Sequence, residues 1–316
     1  MVKRLVLASP RGYCAGVERA VEIVARALEL HGPPVYVRKQ IVHNAHVVRD
    51  FEARGAVFVE SEEEVPAGAA VVLSAHGVAP SVYEQAAARG LETIDATCPL
   101  VSKVHAEARG FAAQGYTIFL IGHAGHEEIV GTMGEAPEAI LLIESAEDAA
   151  RVQPPQTERL AYVTQTTLSV DDTEEIVAVL RRRFPALRAP AKEDICYATT
   201  NRQRAVKRLL GTIDVLLVVG SRNSSNSNRL VEVARARGVS AHLIEDETAI
   251  EEAWLEGAET VGLTSGASAP ESLVRRVVAW FTARGVMQVD ELEAPAEAVF
   301  FRLPPEVRRG GLATSS

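Results

Sequence analysis

Cysteine is scarce in this chain: three in 316 residues, Cys14, Cys98 and Cys196. An odd number excludes a complete disulfide framework, and intervals of 84 and 98 residues exclude a compact zinc motif. Long apolar runs are missing too. No stretch approaches the ~20 apolar residues of a membrane span, and the apolar run in "MVKRLVLASPRG" is too short for a signal peptide. The expectation is a cytoplasmic protein with reduced thiols and no membrane partner. Positive charge is in deficit: 33 Lys and Arg stand against 42 Asp and Glu, a formal net charge of −9. That balance excludes a general binder of nucleic acid or anionic membrane, but leaves room for one local anion site.

What is present is enough apolar material for a core, at 47% hydrophobic and 24% charged residues, and a repeated order of elements. Each third of the chain owns one cysteine. After Cys14, Val17, Ala20, Val21, Val24 and Ala27 recur at helical spacing; Val101, Val104, Ala108 and Phe111 do so after Cys98, and Ala205, Val206, Leu209 and Leu210 after Cys196. A strand follows in each third: "VYVRKQIV", "TIFLIG" and "DVLLVVG". Each opens into a polar loop, "HNAH", "HAGHEE" or "SRNSSNSN". A second helix and a short strand come next ("AVFVE", "AILLIE", "AHLIE"), then a strand ending in small polar residues ("VVLSAHG", "AYVTQTT", "VGLTSGAS"), then a third helix and a last strand.

Apolar strands alternating with helices predict parallel sheets covered by helices. Ligands of such sheets bind beyond the carboxyl ends of the strands. The predicted fold is therefore α/β: three pseudo-threefold-related units with mainly parallel sheets around a central cavity. The units span residues 14–97, 98–195 and 196–281, with four strands expected in each. Residues 1–13 resemble the strand before the other two cysteines and are expected to complete the last sheet. Residues 282–316 run past the third unit, pack on the units, and end in a loose "RRGGLATSS".

A lone cysteine is ordinarily a small buried hydrophobe. Three at equivalent strand-to-helix junctions, brought together by a ring, form a soft-metal site. The start of a helix favours a thiolate there, and Pro99 after Cys98 marks such a start. A cubane iron–sulfur cluster takes four cysteines. With three, one iron keeps an open position where a substrate oxygen can bind. The polar loops offer donors for phosphate oxygens: His43, His76, His126, Ser224, Ser225, Asn226 and Ser268. Each alone reads equally as a turn or a helix cap, and the histidines match no compact zinc motif. Glu128 stands among loops otherwise short of acids; it reads either as a solvated helix-start residue or as a proton donor with Thr166 and Thr167 as relays.

"SPRGYCAGVERA", "VHN", "SAHGV", "DATCPLV", "GHAGHEE", "TQTTLSVDDT", "DICYATTNRQ", "GSRNSSNSNRL" and "TSGASAPE" resemble the 4-hydroxy-3-methylbut-2-enyl diphosphate reductases of the non-mevalonate isoprenoid pathway, from about residue 4 to "AVFFRLP". The resemblance implies one [4Fe–4S] cluster per chain on Cys14, Cys98 and Cys196. It implies an allylic diphosphate substrate whose hydroxyl meets the fourth iron and leaves as water after two electrons and protons are delivered, giving isopentenyl and dimethylallyl diphosphate. The implied acid is Glu128, its threonine partner Thr166. The implied diphosphate ligands are His43, His76, His126, Ser224, Ser225, Asn226 and Ser268. Ferredoxin or flavodoxin is the implied electron donor. Glu127 departs from the family pattern, which usually has proline there, and adds a second acid. The competing expectations are a cluster-dependent dehydratase or lyase of the quinolinate synthase type and a non-enzymatic iron–sulfur sensor. Histidine-based anion recognition further predicts that binding weakens as pH rises through the histidine range.

Overall fold

The computed structural model describes residues 2–295 and 297–308; the "RGGLATSS" expected to be loose lies outside them. The chain starts with β1 (Arg4–Leu7). The first unit then runs α1 (Ala15–His31), β2 (Val35–Arg38), α2 (Ala45–Ala53), β3 (Ala56–Val59), β4 (Ala70–Leu73), α3 (Pro80–Ala88) and β5 (Glu92–Asp95). The second runs α4 (Pro99–Ala113), β6 (Thr117–Ile121), α5 (Glu127–Glu135), β7 (Ile140–Ile143), α6 (Ala146–Arg151), β8 (Leu160–Thr164) and α7 (Val170–Arg183). The third runs α8 (Tyr197–Leu209), β9 (Val215–Val219), α9 (Ser225–Arg235), β10 (Ser240–Ile244), β11 (Thr260–Ser265), α10 (Glu271–Ala283) and β12 (Gln288–Glu291).

These make three sheets, ordered β3-β2-β4-β5, β7-β6-β8 and β10-β9-β11-β1-β12, and every recorded strand pairing is parallel. The central strands are buried on both faces: every residue of "TIFLI" and "VLLVV" is buried. Such strands need helices on both sides, which is why they read as continuous apolar runs. The three orders match position by position. Each sheet places its unit's first strand second, with the strand ending in small polar residues beside it. The next place belongs to β5 in the first sheet and to β1 in the third. β1 is therefore the strand completing the last sheet, and it lies between β11 and β12.

The second sheet departs from the expected four strands. Its fourth place is reduced to a single bridge between Ala161 and Arg188. Pro185 and Pro190 bracket that segment, and a proline has no N–H to extend a ladder. The first strand of the first unit is also shorter than "VYVRKQIV". Lys39 takes φ of 58°, the left-handed region that costs a side-chain-bearing residue about 1 kcal/mol. The chain turns there and delivers His43 to the strand-end face.

Candidate active site

All three cysteines cap helices. Cys14 is the N-cap of α1, Cys98 of α4 and Cys196 of α8. Their backbones are held alike. The N–H of Cys14 donates to Ala267 O (3.3 Å), that of Cys98 to Ala75 O (3.0 Å) and that of Cys196 to Thr166 O (3.0 Å). Each acceptor lies just past the end of β11, β4 or β8, so each sheet fixes the cysteine that opens the following unit, always at one topological position.

A second set of bonds runs from each cysteine helix to the loop that closes its own unit. On α1, Arg19 donates to Ala96 O and Thr97 O, in the loop that carries Cys98 (3.1 and 3.0 Å). On α4, Lys103 reaches Lys192 O and Asp194 Oδ1, in the loop that carries Cys196 (both 2.5 Å). On α8, Arg202 donates to Gly12 O, in the loop that carries Cys14 (2.7 Å). Each cysteine helix thus clasps the loop bearing the next cysteine, and the clasps close a circle. Asp194 ties this circle to the sheet, since its Oδ2 accepts from Thr164 N at the end of β8 (2.8 Å).

The thiols face one cavity, and Gly16 keeps them apart from α1. A Cβ added there would stand 2.7 Å from Cys98 Sγ and 3.8 Å from Cys14 Sγ. Burial and the neighbouring Cys14 push the Cys98 thiol up to about 12, and the same causes push Cys196 up to about 11. The expected gain of thiolate from the helix start is outweighed by burial, so a cation must displace these protons. Three soft thiol donors at three helix starts, facing one space, fit an iron–sulfur cluster.

The same cavity is lined by all the other candidates: His43, His76, His126, Glu128, Thr166, Thr167, Ser224, Ser225, Asn226 and Ser268. Among the lining residues there is no Lys or Arg. The three imidazoles cluster, with centroids 4.0 Å apart for His43–His76, 5.6 Å for His43–His126 and 5.9 Å for His76–His126. His126 is the N-cap of α5, and its Nδ1 accepts from Glu128 N (3.2 Å), which leaves Nε2–H as a donor. Ser224 caps α9 by accepting from Ser227 N (3.3 Å), and its Oγ lies 3.4 Å from Ser268 Oγ. Cap and anion donor are therefore compatible roles at this helix start. Thr167 Oγ1 is 3.0 Å from Ser225 Oγ, and Asn226 Oδ1 accepts from Ala267 N (2.9 Å).

Burial and the neighbouring imidazoles push His43 down to about 2; burial with His76 pushes His126 down to about 4. Both are neutral throughout the histidine range. The expected loss of anion binding through that range therefore does not arise from these two in the free protein.

Glu128 is buried on the first turn of α5. Its Oε1 accepts from Thr166 N (2.6 Å) and its Oε2 from Thr166 Oγ1 (3.0 Å). Burial pushes the carboxyl up to about 7 against both bonds. Glu128 is thus a group able to hold a proton near neutrality, with the Thr166 hydroxyl beside it in the cavity wall. Glu127 points elsewhere, toward His76 (Oε2 to Nδ1, 3.1 Å).

The sequence reading missed the apolar part of the wall: Val17, Val42, Leu100, Tyr197 and Phe301. Tyr197 directly follows a cysteine and receives Ala15 N on its hydroxyl (3.2 Å), a signal that was available. Phe301 lies far down the chain in an irregular segment and carried none. Neither did the clasps, which join residues 77 or more positions apart.

Comparison with known proteins decides the family. The sequence model of the family described as LytB protein matches residues 5–282. The chain belongs to the LytB family. Relatives of this LytB chain include the 4-hydroxy-3-methylbut-2-enyl diphosphate reductase of Acidothermus cellulolyticus, 63% identical over 97% of this chain and 91% of the relative. That of Mycobacterium ulcerans is 57% identical over 97% and 92%. The solved E-1-hydroxy-2-methyl-but-2-enyl-4-diphosphate reductase from Plasmodium falciparum superposes with a TM-score of 0.94 at 39% identity, covering 97% of both chains. No helix among the described residues is long and apolar enough to cross a membrane.

Proposed function

We propose that this LytB chain reduces 4-hydroxy-3-methylbut-2-enyl diphosphate to isopentenyl and dimethylallyl diphosphate. The observation that carries the reading is the shared cavity: three thiols, one protonatable carboxyl and a set of neutral anion donors line one wall-to-wall space. The relatives named as this reductase support it. Cys14, Cys98 and Cys196 would hold one [4Fe–4S] cluster, which when bound supplies electrons and an iron with an open position.

The chain's own residues do the rest. His43, His76, His126, Ser224, Ser225, Asn226 and Ser268 receive the diphosphate through N–H and O–H donors. Val17, Val42, Leu100 and Phe301 exclude water around the five-carbon unit. Glu128 holds a proton and Thr166 Oγ1 hands it into the cavity. The C–O bond breaks, the oxygen leaves as water, and a C–H bond forms at one of two carbons. Two protons and two electrons are consumed, the electrons coming from an outside one-electron donor of the ferredoxin or flavodoxin class. A dehydratase of the quinolinate synthase type needs neither the electrons nor the diphosphate donors.

The deciding experiment is an anaerobic assay of the cluster-loaded protein with a reduced one-electron donor. Turnover with two electrons consumed per product supports the reading. Water loss without electron consumption overturns it.

A further inference from the structure

Gln165 follows the last residue of β8. Its side chain is buried and stands behind the cavity wall: its neighbours Thr166 and Thr167 are lining residues and it is not. Gly122 leaves room for it, since a Cβ there would stand 3.1 Å from Gln165 Oε1. A buried carboxamide has an accepting end and a donating end, and each needs a partner. The N–H of His123, which can only donate, meets Oε1 at 3.1 Å. That bond fixes which way the amide faces. Its NH2 end is turned toward two hydroxyls of the wall, Thr167 Oγ1 at 2.8 Å and Ser225 Oγ at 3.3 Å.

The direction passes on from there. Thr167 Oγ1 accepts from the amide, so its own hydrogen goes to Ser225 Oγ, 3.0 Å away. Ser225 Oγ then accepts from both Thr167 and the amide, and keeps its hydrogen to give. Among the described residues, the acceptor for that hydrogen is Thr167 O at 3.4 Å, near the outer limit of a hydrogen bond. An anion oxygen in the cavity is the better acceptor, because hydrogen bonds to charged groups are roughly twice as strong as neutral ones. An acceptor in place of the NH2 end would draw the hydroxyl hydrogens away from the cavity. Ser225 opens α9 in the third unit, whereas Gln165 and Thr167 belong to the second, so this chain of donors also crosses from one unit to the next.

We infer that Gln165 is a positioning residue for the anion: through Thr167 it aims the Ser225 hydroxyl hydrogen at the diphosphate without touching it. This rests on the reading of the cavity as a diphosphate site.

The test is calorimetric titration of inorganic pyrophosphate into anaerobic, cluster-loaded protein, with iron and sulfide counted in each variant. Gln165→Met keeps the length of the side chain and removes the donor. It should weaken pyrophosphate binding roughly tenfold, the size of one lost hydrogen bond to a charged group, with iron content and circular dichroism unchanged. The same substitution is then made in protein lacking both hydroxyls, Thr167→Val with Ser225→Ala. There it should weaken binding by less than about twofold, because the groups it acts through are gone. Equal weakening in the two backgrounds overturns the proposal, since a loss of shape or stability would act in both. Unchanged binding in Gln165→Met with both hydroxyls present overturns it too. If Gln165→Met loses iron, Gln165→Asn takes its place: its amide is too short to hold His123 N and reach the hydroxyls together, and the same two comparisons decide. Pyrophosphate that fails to bind wild-type protein removes the diphosphate reading and this proposal with it. Binding in wild type followed by failure of either comparison removes the proposal alone.

Discussion

Glu128 and Gly16 show how much single residues carry here. Burial pushes the Glu128 carboxyl up to about 7, so it is protonated below that pH and ionised above it. A proton donor of this kind makes kcat/KM fall as pH rises through about 7, and Glu128→Gln should remove that limb. The amide keeps the size and the bond from Thr166 N but cannot deliver a proton. Turnover should drop ~10²-fold or more with iron content retained. Glu127→Gln should be far milder, because that side chain meets His76 and not Thr166. An assay in which Glu127→Gln is the inactive variant would move the acid by one residue. Gly16→Ala is a test of space alone: its Cβ would sit 2.7 Å from Cys98 Sγ. It should lower iron content per chain while leaving the secondary structure, read by circular dichroism, unchanged.

Among the elements, the helices that follow the cysteines do more than cap. Arg202 on α8 is fully buried, donates to Gly12 O and Ala198 O, and meets Glu297 at 3.2 Å. Removing one partner of a buried pair costs roughly 3–5 kcal/mol, since the other is left without compensation. Arg202→Met should therefore lower the denaturation midpoint and, through Gly12, loosen the loop before Cys14, so iron content should fall as well. Arg202→Lys should not restore either, because an ammonium cannot span acceptors that lie in three directions. Equal midpoints for wild type and Arg202→Met would dismiss the clasp. The helices and strands themselves were legible in the sequence: "TIFLI" and "VLLVV" are continuous apolar runs, and the positions after Cys14 and Cys98 keep helical period. The clasps were not, because nothing in local periodicity reports a bond between Arg202 and Gly12. The fourth strand of the second unit was over-read for a related reason, as the prolines at 185 and 190 weigh on ladder bonds that periodicity does not count.

At the scale of the whole molecule, the three thiols belong to three units with separate sheets and separate apolar cores. The equivalence of the cysteines was visible in the order of elements, and so were their polar neighbours. That β1 would enter the third sheet between β11 and β12 was visible only as a likeness to the strands before Cys98 and Cys196. A cluster held by all three thiols would link the units, and its binding energy would become stability of their assembly. Cys98→Ser should then cost most of the iron, as should the same change at Cys14 or Cys196; full iron and turnover in any of the three would remove that cysteine from the ligand set. The same linkage predicts where the metal-free chain loosens. The sheets keep their apolar strands, so amides of β6 and β9 should stay protected from hydrogen exchange when iron is chelated anaerobically. The first turns of α1, α4 and α8, which begin at the thiols, should exchange faster together, since each cysteine helix clasps the loop of the next. Faster exchange confined to one of the three turns would mean that the units hold their cysteines independently, and that the circle of clasps carries no strain from one to another.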